Sequence, residues 1–137
     1  MNAMMRLRAK YPDLFDKKYF HDLPDGWEWI VEAFIDSAKQ WQWIENEEYV
    51  TNFSFLTITQ CKEKFGTLRL YIDVSGETKR DINHISAELD GAKNMAELLS
   101  ARTCACCGTM NNAKNRDNNG YYLTLCDQCV ETGAWKL

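Results

Sequence analysis

Apolar residues recur three and four positions apart from Trp27 onward. Trp27, Ile30, Val31, Phe34, Ile35, Ala38 and Trp41 form one stripe within "DGWEWIVEAFIDSAKQWQWIENEE", the pattern of an amphipathic helix. Asp25, just ahead of the stripe, is its expected N-cap. The preceding "MNAMMRLRAKYPDLF" mixes basic and apolar positions and predicts a short helix, closed by a turn at Pro12. From Tyr49 the period changes. "YVTNFSFLTITQC" and "TLRLYIDV" are rich in β-branched and aromatic residues and predict two antiparallel strands around a turn at Lys62 to Gly66. In the second strand Leu68, Leu70 and Ile72 point one way while Thr67, Arg69 and Tyr71 point the other, so one face is buried. After the polar break "SGETKRD", the positions Ile82, Ile85, Leu89, Ala92, Met95 (or Ala96) and Leu99 predict a second long helix up to Arg102.

That helix runs into a cluster of cysteines. Cys104 and Cys107, with Cys126 and Cys129, give C-x2-C-x18-C-x2-C, a spacing that reads as a four-cysteine zinc site. Two residues between cysteines let both sulfurs of a tight turn face one ion, and Gly108 supplies the left-handed bend such a knuckle needs. The Asn-Gly at 119–120 predicts a hairpin that delivers Cys126. Four thiolates leave zinc no open position, so the expected role of one Zn2+ per chain is structural. Cys106 falls between the ligands as a half-buried spectator, and Cys61 reads as a packing residue at a strand end. The fold expected is α+β: two long helices packed on a small antiparallel sheet, with a C-terminal zinc ribbon or treble-clef-like module. Residues 1–102 would form the α+β part and 103–137 the docked module, or the two would be one continuous domain.

Composition narrows the function classes. The chain of 137 residues is 45% hydrophobic and 26% charged, an ordinary globular balance for about one domain. No stretch reaches the ~20 apolar residues of a membrane span, nor does the N-terminus resemble a signal peptide, so a cytoplasmic location is expected. Six cysteines in a reducing compartment then favour metal over disulfides. His21 and His84 stand beside no nucleophile motif and read as surface or capping residues; no phosphate-binding glycine loop occurs, and no enzyme activity is expected.

Two surfaces are candidates for a partner. Trp29 and Trp43 fall off the main helical stripe, and exposed aromatics are typical interface anchors. Glu45, Glu47 and Glu48 add an acidic cluster to a region, residues 1–60, that carries ten acids against six bases. Such a surface could act as a decoy for a basic, nucleic-acid-binding partner. The rival surface is basic: Lys62, Lys64 and Arg69 on the first hairpin with Lys114 and Arg116 near Tyr121 and Tyr122, the ingredients of a nucleic-acid contact. Against it stand the formal net charge of −4 and the lack of a basic helix.

The motifs "YPDLF", "DGWEWI", "QCKEKFGTLRLYID", "ISAELDGAKNMAELLSARTCACCG" and "GYYLTLCDQC" together resemble a family of small zinc-ribbon proteins of phages, prophages and bacteria. The resemblance covers most of the chain. It implies an α/β domain with a four-cysteine zinc site, encoded on mobile DNA, and no established activity. The function expected is that of a non-enzymatic accessory protein that binds a host or mobile-element protein complex, such as a defence, transcription or replication component, and modulates or inhibits it. The alternative is a zinc-ribbon nucleic-acid-binding protein.

Overall fold

The computed structural model describes residues 1–46, 53, 55–76 and 81–134, with the side chains of residues 42–46 left out. Among the described residues four α-helices, α1 (Ala3–Lys10), α2 (Glu28–Asn46), α3 (Ile82–Ser100) and α4 (Asp127–Glu131), combine with two antiparallel hairpins. The first pairs β1 (Leu56–Lys64) with β2 (Thr67–Val74), and the second pairs β3 (Lys114–Asn118) with β4 (Tyr121–Leu125). The fold is mixed α/β, and its four paired cysteines gather near the C-terminus.

Helix α1 is capped by Asn2, whose side chain accepts from the Met5 amide at 2.9 Å. It buries Ala3, Met4 and Leu7 against the start of α2. Asp25 does not cap α2. The chain enters α2 through a single 3-10 turn, Asp25–Trp27, whose carbonyls already serve the first amides, so the carboxylate is free for another task. Its Oδ1 accepts from the Ala3 amide at 2.8 Å, tying the amino end of α1 to that of α2. The stripe Trp27, Ile30, Val31, Phe34, Ile35 and Ala38 is buried, with Trp41 partly so. In α3 the inward residues are Ile85, Leu89 and Ala96. Met95, 57% exposed, is not part of the core; of the two readings at that turn, Ala96 takes the inward position.

The β1–β2 hairpin is tighter than the expected turn at Lys62 to Gly66. Strand β1 continues through Lys64, and only Phe65 (φ 54°) and Gly66 (φ 84°) make the turn. Two positive φ values in a two-residue loop match the twist of the flanking strands, and glycine takes the second without strain. A register shift between Ile58 and Gln60 precedes the pairs Cys61↔Leu70, Lys62↔Arg69 and Lys64↔Thr67. Cys61 is therefore a mid-strand core residue, not one at a strand end.

Both edges of this hairpin are covered, which removes a row of unpaired amides and carbonyls that would otherwise invite another strand. Along β2, the Leu68 amide donates to Ser100 Oγ at 2.7 Å and the Leu70 amide to Glu97 Oε2 at 2.9 Å, both from α3. Along β1, Phe15 and Asp22 form parallel bridges with Ile58 and Lys62. His21 fills the interval between them. Its Nδ1 accepts the Cys61 amide at 3.1 Å, which leaves Nε2 to donate to the Asp16 carbonyl at 2.8 Å. The ring stands in for a stretch of strand and is buried, contrary to the expected surface position. No helix among the described residues is long and apolar enough to cross a membrane.

Candidate metal centre and the surfaces around it

The first cysteine pair lies in a turn between α3 and β3. The Cys104 amide donates to the Thr109 carbonyl at 2.8 Å and the Gly108 amide to the Cys104 carbonyl at 2.9 Å, closing a loop that Gly108 completes at φ 82°. The second pair straddles the start of α4. Cys126 is its N-cap, with Sγ accepting the Cys129 amide at 3.4 Å. The β3–β4 turn at Asn119 (φ 54°) and Gly120 (φ 88°) folds the chain back so that Cys126 leaves β4 opposite the knuckle.

The ligand atoms of Cys104, Cys107, Cys126 and Cys129 all lie within 4.8 Å of one another, and Cys107 Sγ is 3.8 Å from Cys126 Sγ. A tetrahedral ion with metal–sulfur bonds of ~2.3 Å places its sulfurs about 3.8 Å apart, so the donor set fits a thiophilic metal. Three of the four thiols are buried, and Cys107 is the exposed one. Burial opposes ionisation of Cys104, yet the backbone amides of Cys107, Cys126 and Cys106 outweigh it and lower the thiol to about 7. Burial, followed by the crowding of Cys126, Cys104, Cys106 and Cys107, pushes Cys129 upward. Thiols must lose their protons to ligate a metal, so metal binding to such a set releases protons. Cys106 is half-buried and outside the set.

Residues distant in sequence clamp the knuckle. The Gly26 amide donates to the Ala105 carbonyl at 2.8 Å, and the Ala105 amide donates to the Thr124 carbonyl on β4 at 2.8 Å. A methyl group on Gly26 would overlap the Cys104 carbonyl oxygen and lie 2.7 Å from the Ala105 carbonyl carbon. Trp27, fully buried, donates its indole N–H to the Thr103 carbonyl at 2.9 Å. On the other side the tip of the first hairpin seats on the second: Thr124 Oγ1 donates to the Gly66 carbonyl at 2.7 Å and Asn115 Nδ2 to the Phe65 carbonyl at 3.0 Å. Sequence reasoning missed Gly26, Gly66 and Thr124 as partners of the site; the only signal was a glycine directly ahead of the tryptophan stripe and another at a turn.

Trp29 falls off the buried stripe, as its position in the sequence suggests. Trp29 is partly exposed and lines an open cleft of about 480 Å³ with Glu28, Glu32, Asp36 and Cys107. Its carboxylates are already paired: Glu28 with Arg6 at 2.7 Å, Glu32 with Lys10 at 3.1 Å and Asp36 with Lys39 at 3.2 Å. Residues Glu47 and Glu48, and the side chains of Trp43 and Glu45, lie outside the described residues.

The five candidate cations are not one patch. Directly opposed residues of a hairpin share a face, so Lys62, Lys64 and Arg69 lie together on the outer face of β1–β2, with Tyr71 and Gln60. Lys114 and Arg116 share the face of Leu125 and Leu123 on the second hairpin, whereas the first hairpin's tip meets the opposite face, through Asn115 and Thr124. Arg116 is in any case occupied: it pairs with Asp127 at 2.5 Å and donates through Nε to the Leu125 carbonyl at 2.9 Å. Cys61, on the buried face of β1, has its thiol pushed up to about 12, by burial first and then by the charge of Asp22. No family model, no curated protein and no solved structure matches the chain.

Proposed function

We propose that the chain is a non-enzymatic accessory protein in which one Zn2+, held by Cys104, Cys107, Cys126 and Cys129 in a zinc-ribbon or treble-clef-like module, keeps a binding surface in shape. In keeping with the phage-like sequence resemblance, that surface binds and modulates, by inhibition in the expected case, a host or mobile-element protein complex. The observation that carries the reading is the closure of the thiol cluster. Four sulfurs within 4.8 Å occupy every position of a tetrahedral ion, so no water or substrate can be activated there, and the knuckle is instead sandwiched between Gly26 and β4. A closed site wedged between two parts of a fold acts on shape, and the consequence falls on the surface.

Metal analysis of the purified chain should give about one zinc per chain. The metal-loaded protein should capture a defined host complex from lysate and change that complex's reconstituted activity, whereas Cys126→Ser should not. Absence of zinc, or a complex whose activity is indifferent to the loaded protein, sinks the reading.

A second reading, nucleic-acid binding, is favoured by one specific contrast. Arg6, Lys10, Lys17 and Lys39 each have a carboxylate within 4.0 Å, while Lys62, Lys64, Arg69 and Lys114 have none among the described residues. The acid-decoy version turns on Glu45, Glu47 and Glu48, whose side chains lie outside the described residues.

A further inference from the structure

We infer that the outer face of the β1–β2 hairpin binds single-stranded nucleic acid without regard to sequence, a conclusion that rests on the second reading above and names its site and ligand class. Lys62 and Arg69 face each other across the pair, Lys64 opposes Thr67 one step nearer the turn, and Gln60 opposes Tyr71 one step further from it. From Gln60 to Lys64 the strand rises about 13 Å, enough to follow a strand's backbone past three cations. Among the described residues no carboxylate oxygen lies within 4.0 Å of these three cations, and the bonds that Arg69 donates to Thr67 Oγ1 at 2.8 Å and to the Leu68 carbonyl at 3.3 Å orient it without cancelling its charge, so the positive charge is available to phosphates. The acids bordering the face are Asp22, bridged in register with Lys62, Asp73 at its far end, and Glu97 of α3, which lines a depression with Arg69 but is paired with Lys93 at 3.5 Å; none of the three has an oxygen within 4.0 Å of the three cations.

Aromatic rings stand at both ends of this cationic row. At one end Tyr19 and Tyr71, both exposed, border a shallow depression of about 260 Å³ with Thr59 and Gln60. At the other, Phe65 is 66% exposed at the hairpin tip, with Tyr122 edge-on to it at 6.5 Å between centroids. Lys62 Nζ lies 5.9 Å from the Tyr71 ring centre and Lys64 Nζ 5.8 Å from that of Phe65. Rings for stacking, alternating with cations for backbone, are the two parts of a sequence-tolerant single-strand groove. A duplex offers its bases edge-on inside grooves, and α1, a helix with bases and no acid, has Arg6 and Lys10 held by Glu28 and Glu32 of α2. A peptide added as a strand is disfavoured as well, because His21, Phe15 and Asp22 cover one edge of the hairpin and Glu97 and Ser100 the other.

The test is fluorescence anisotropy of the full, metal-loaded chain with a labelled oligothymidine of about 12 nucleotides, against a duplex of equal length, at ~50 mM and ~200 mM salt. Expected is binding that prefers the single strand and weakens with salt. Lys62→Gln/Lys64→Gln/Arg69→Gln should lower affinity about tenfold or more at the lower salt and flatten the log–log salt slope by about two, at ~0.7 per phosphate contact on a single strand. Tyr71→Ala should weaken binding with the slope unchanged, and Lys114→Gln should stay within about twofold. If the triple variant unfolds, Lys62→Gln/Lys64→Gln, which removes one half-buried and one exposed lysine and keeps Arg69, should still flatten the slope by more than one. No binding at the lower salt, a preference for duplex, or an unaltered slope in either multiple variant overturns the inference. Any of these leaves the accessory reading intact if a protein complex is still captured by the triple variant after nuclease treatment.

Discussion

The two hairpins share one turn and differ in what secures the strands behind it. Each turns on two residues of positive φ, Phe65–Gly66 and Asn119–Gly120. Behind the first lie strands of nine and eight residues that bury Ile58, Cys61, Leu68 and Leu70 in the shared core, with α3 packed on β2. Behind the second lie two strands of five residues. Strand β3 buries none of its residues, and only Leu123, Thr124 and Leu125 of β4 are covered. An isolated hairpin of that length is marginal in water. The same local geometry thus rests in one place on apolar burial and in the other on a borrowed surface and, in the proposed reading, on a metal held by four thiolates.

Removing the metal should therefore separate the two hairpins. In Cys126→Ser, or with a strong chelator, hydrogen-exchange protection should vanish from β3, β4 and α4 while β1, β2 and α3 keep theirs apart from the turn at Gly66. The loss is a large share of the ~10 kcal/mol typical of small structural zinc sites. Equal loss of protection in both hairpins would make them one cooperative unit and erase the distinction.

Next in size are the two glycines through which the second hairpin leans on the rest. Gly26→Ala places a methyl group against the backbone of Cys104 and Ala105, which has no flexible end to yield. About 3 kcal/mol or more of destabilisation is expected in urea unfolding, with weaker metal retention. Gly66→Ala combines a φ of +84° with approach to the Leu123 amide nitrogen at 2.9 Å and to the Asn115 side chain, which can swing away. About 2 kcal/mol is expected there. If Gly66→Ala proves the costlier, the hairpin tip, not the 3-10 turn, is the main support of the metal module. Smaller again is Arg116→Gln. Its side chain is 19% exposed but Asp127 is 61% exposed, so screening limits the pair to about 1 kcal/mol. A loss of several kcal/mol would mean that the arginine, through its bond to the Leu125 carbonyl, carries the orientation of Cys126.

What could be read in the chain beforehand follows the same division. The α2 stripe, the alternation of β2 and the cysteine spacing are local periodicities, and each element packs by its own pattern. The partners of the knuckle are not local: Gly26 and Trp27 meet residues 103–105, and Gly66 meets Thr124, contacts that no period announces. Asp25 has the sequence of an N-cap, but an extra 3-10 turn displaced it to serve α1. The cations were recognisable as residue types. Their division into a free set and a consumed one depends on hairpin register and on Asp127, a residue placed by α4. His21 was misjudged because its role, replacing a missing piece of strand beside Cys61, exists only once the N-terminal segment lies along β1.

The smallest effect expected at neutral pH is at Cys61, and it tests the burial half of the comparison. Its thiol is pushed from 9.0 to about 12, by burial first and then by the nearby Asp22 charge, so the folded chain favours the neutral form. The contribution to stability is then fully present below the unfolded value near 9 and is lost as pH rises toward 12. In the metal-loaded protein a thiol reagent at about pH 8 should modify Cys106, which is half-exposed, and leave Cys61 untouched. Cys61→Ala should cost about 1 kcal/mol at that pH through the small space it leaves, and should flatten the decline of urea stability between about pH 9 and 12. Should Cys61 react as fast as Cys106, the β1–β2 core opens as readily as the metal knuckle, and apolar burial does not hold the first hairpin more firmly than coordination holds the second.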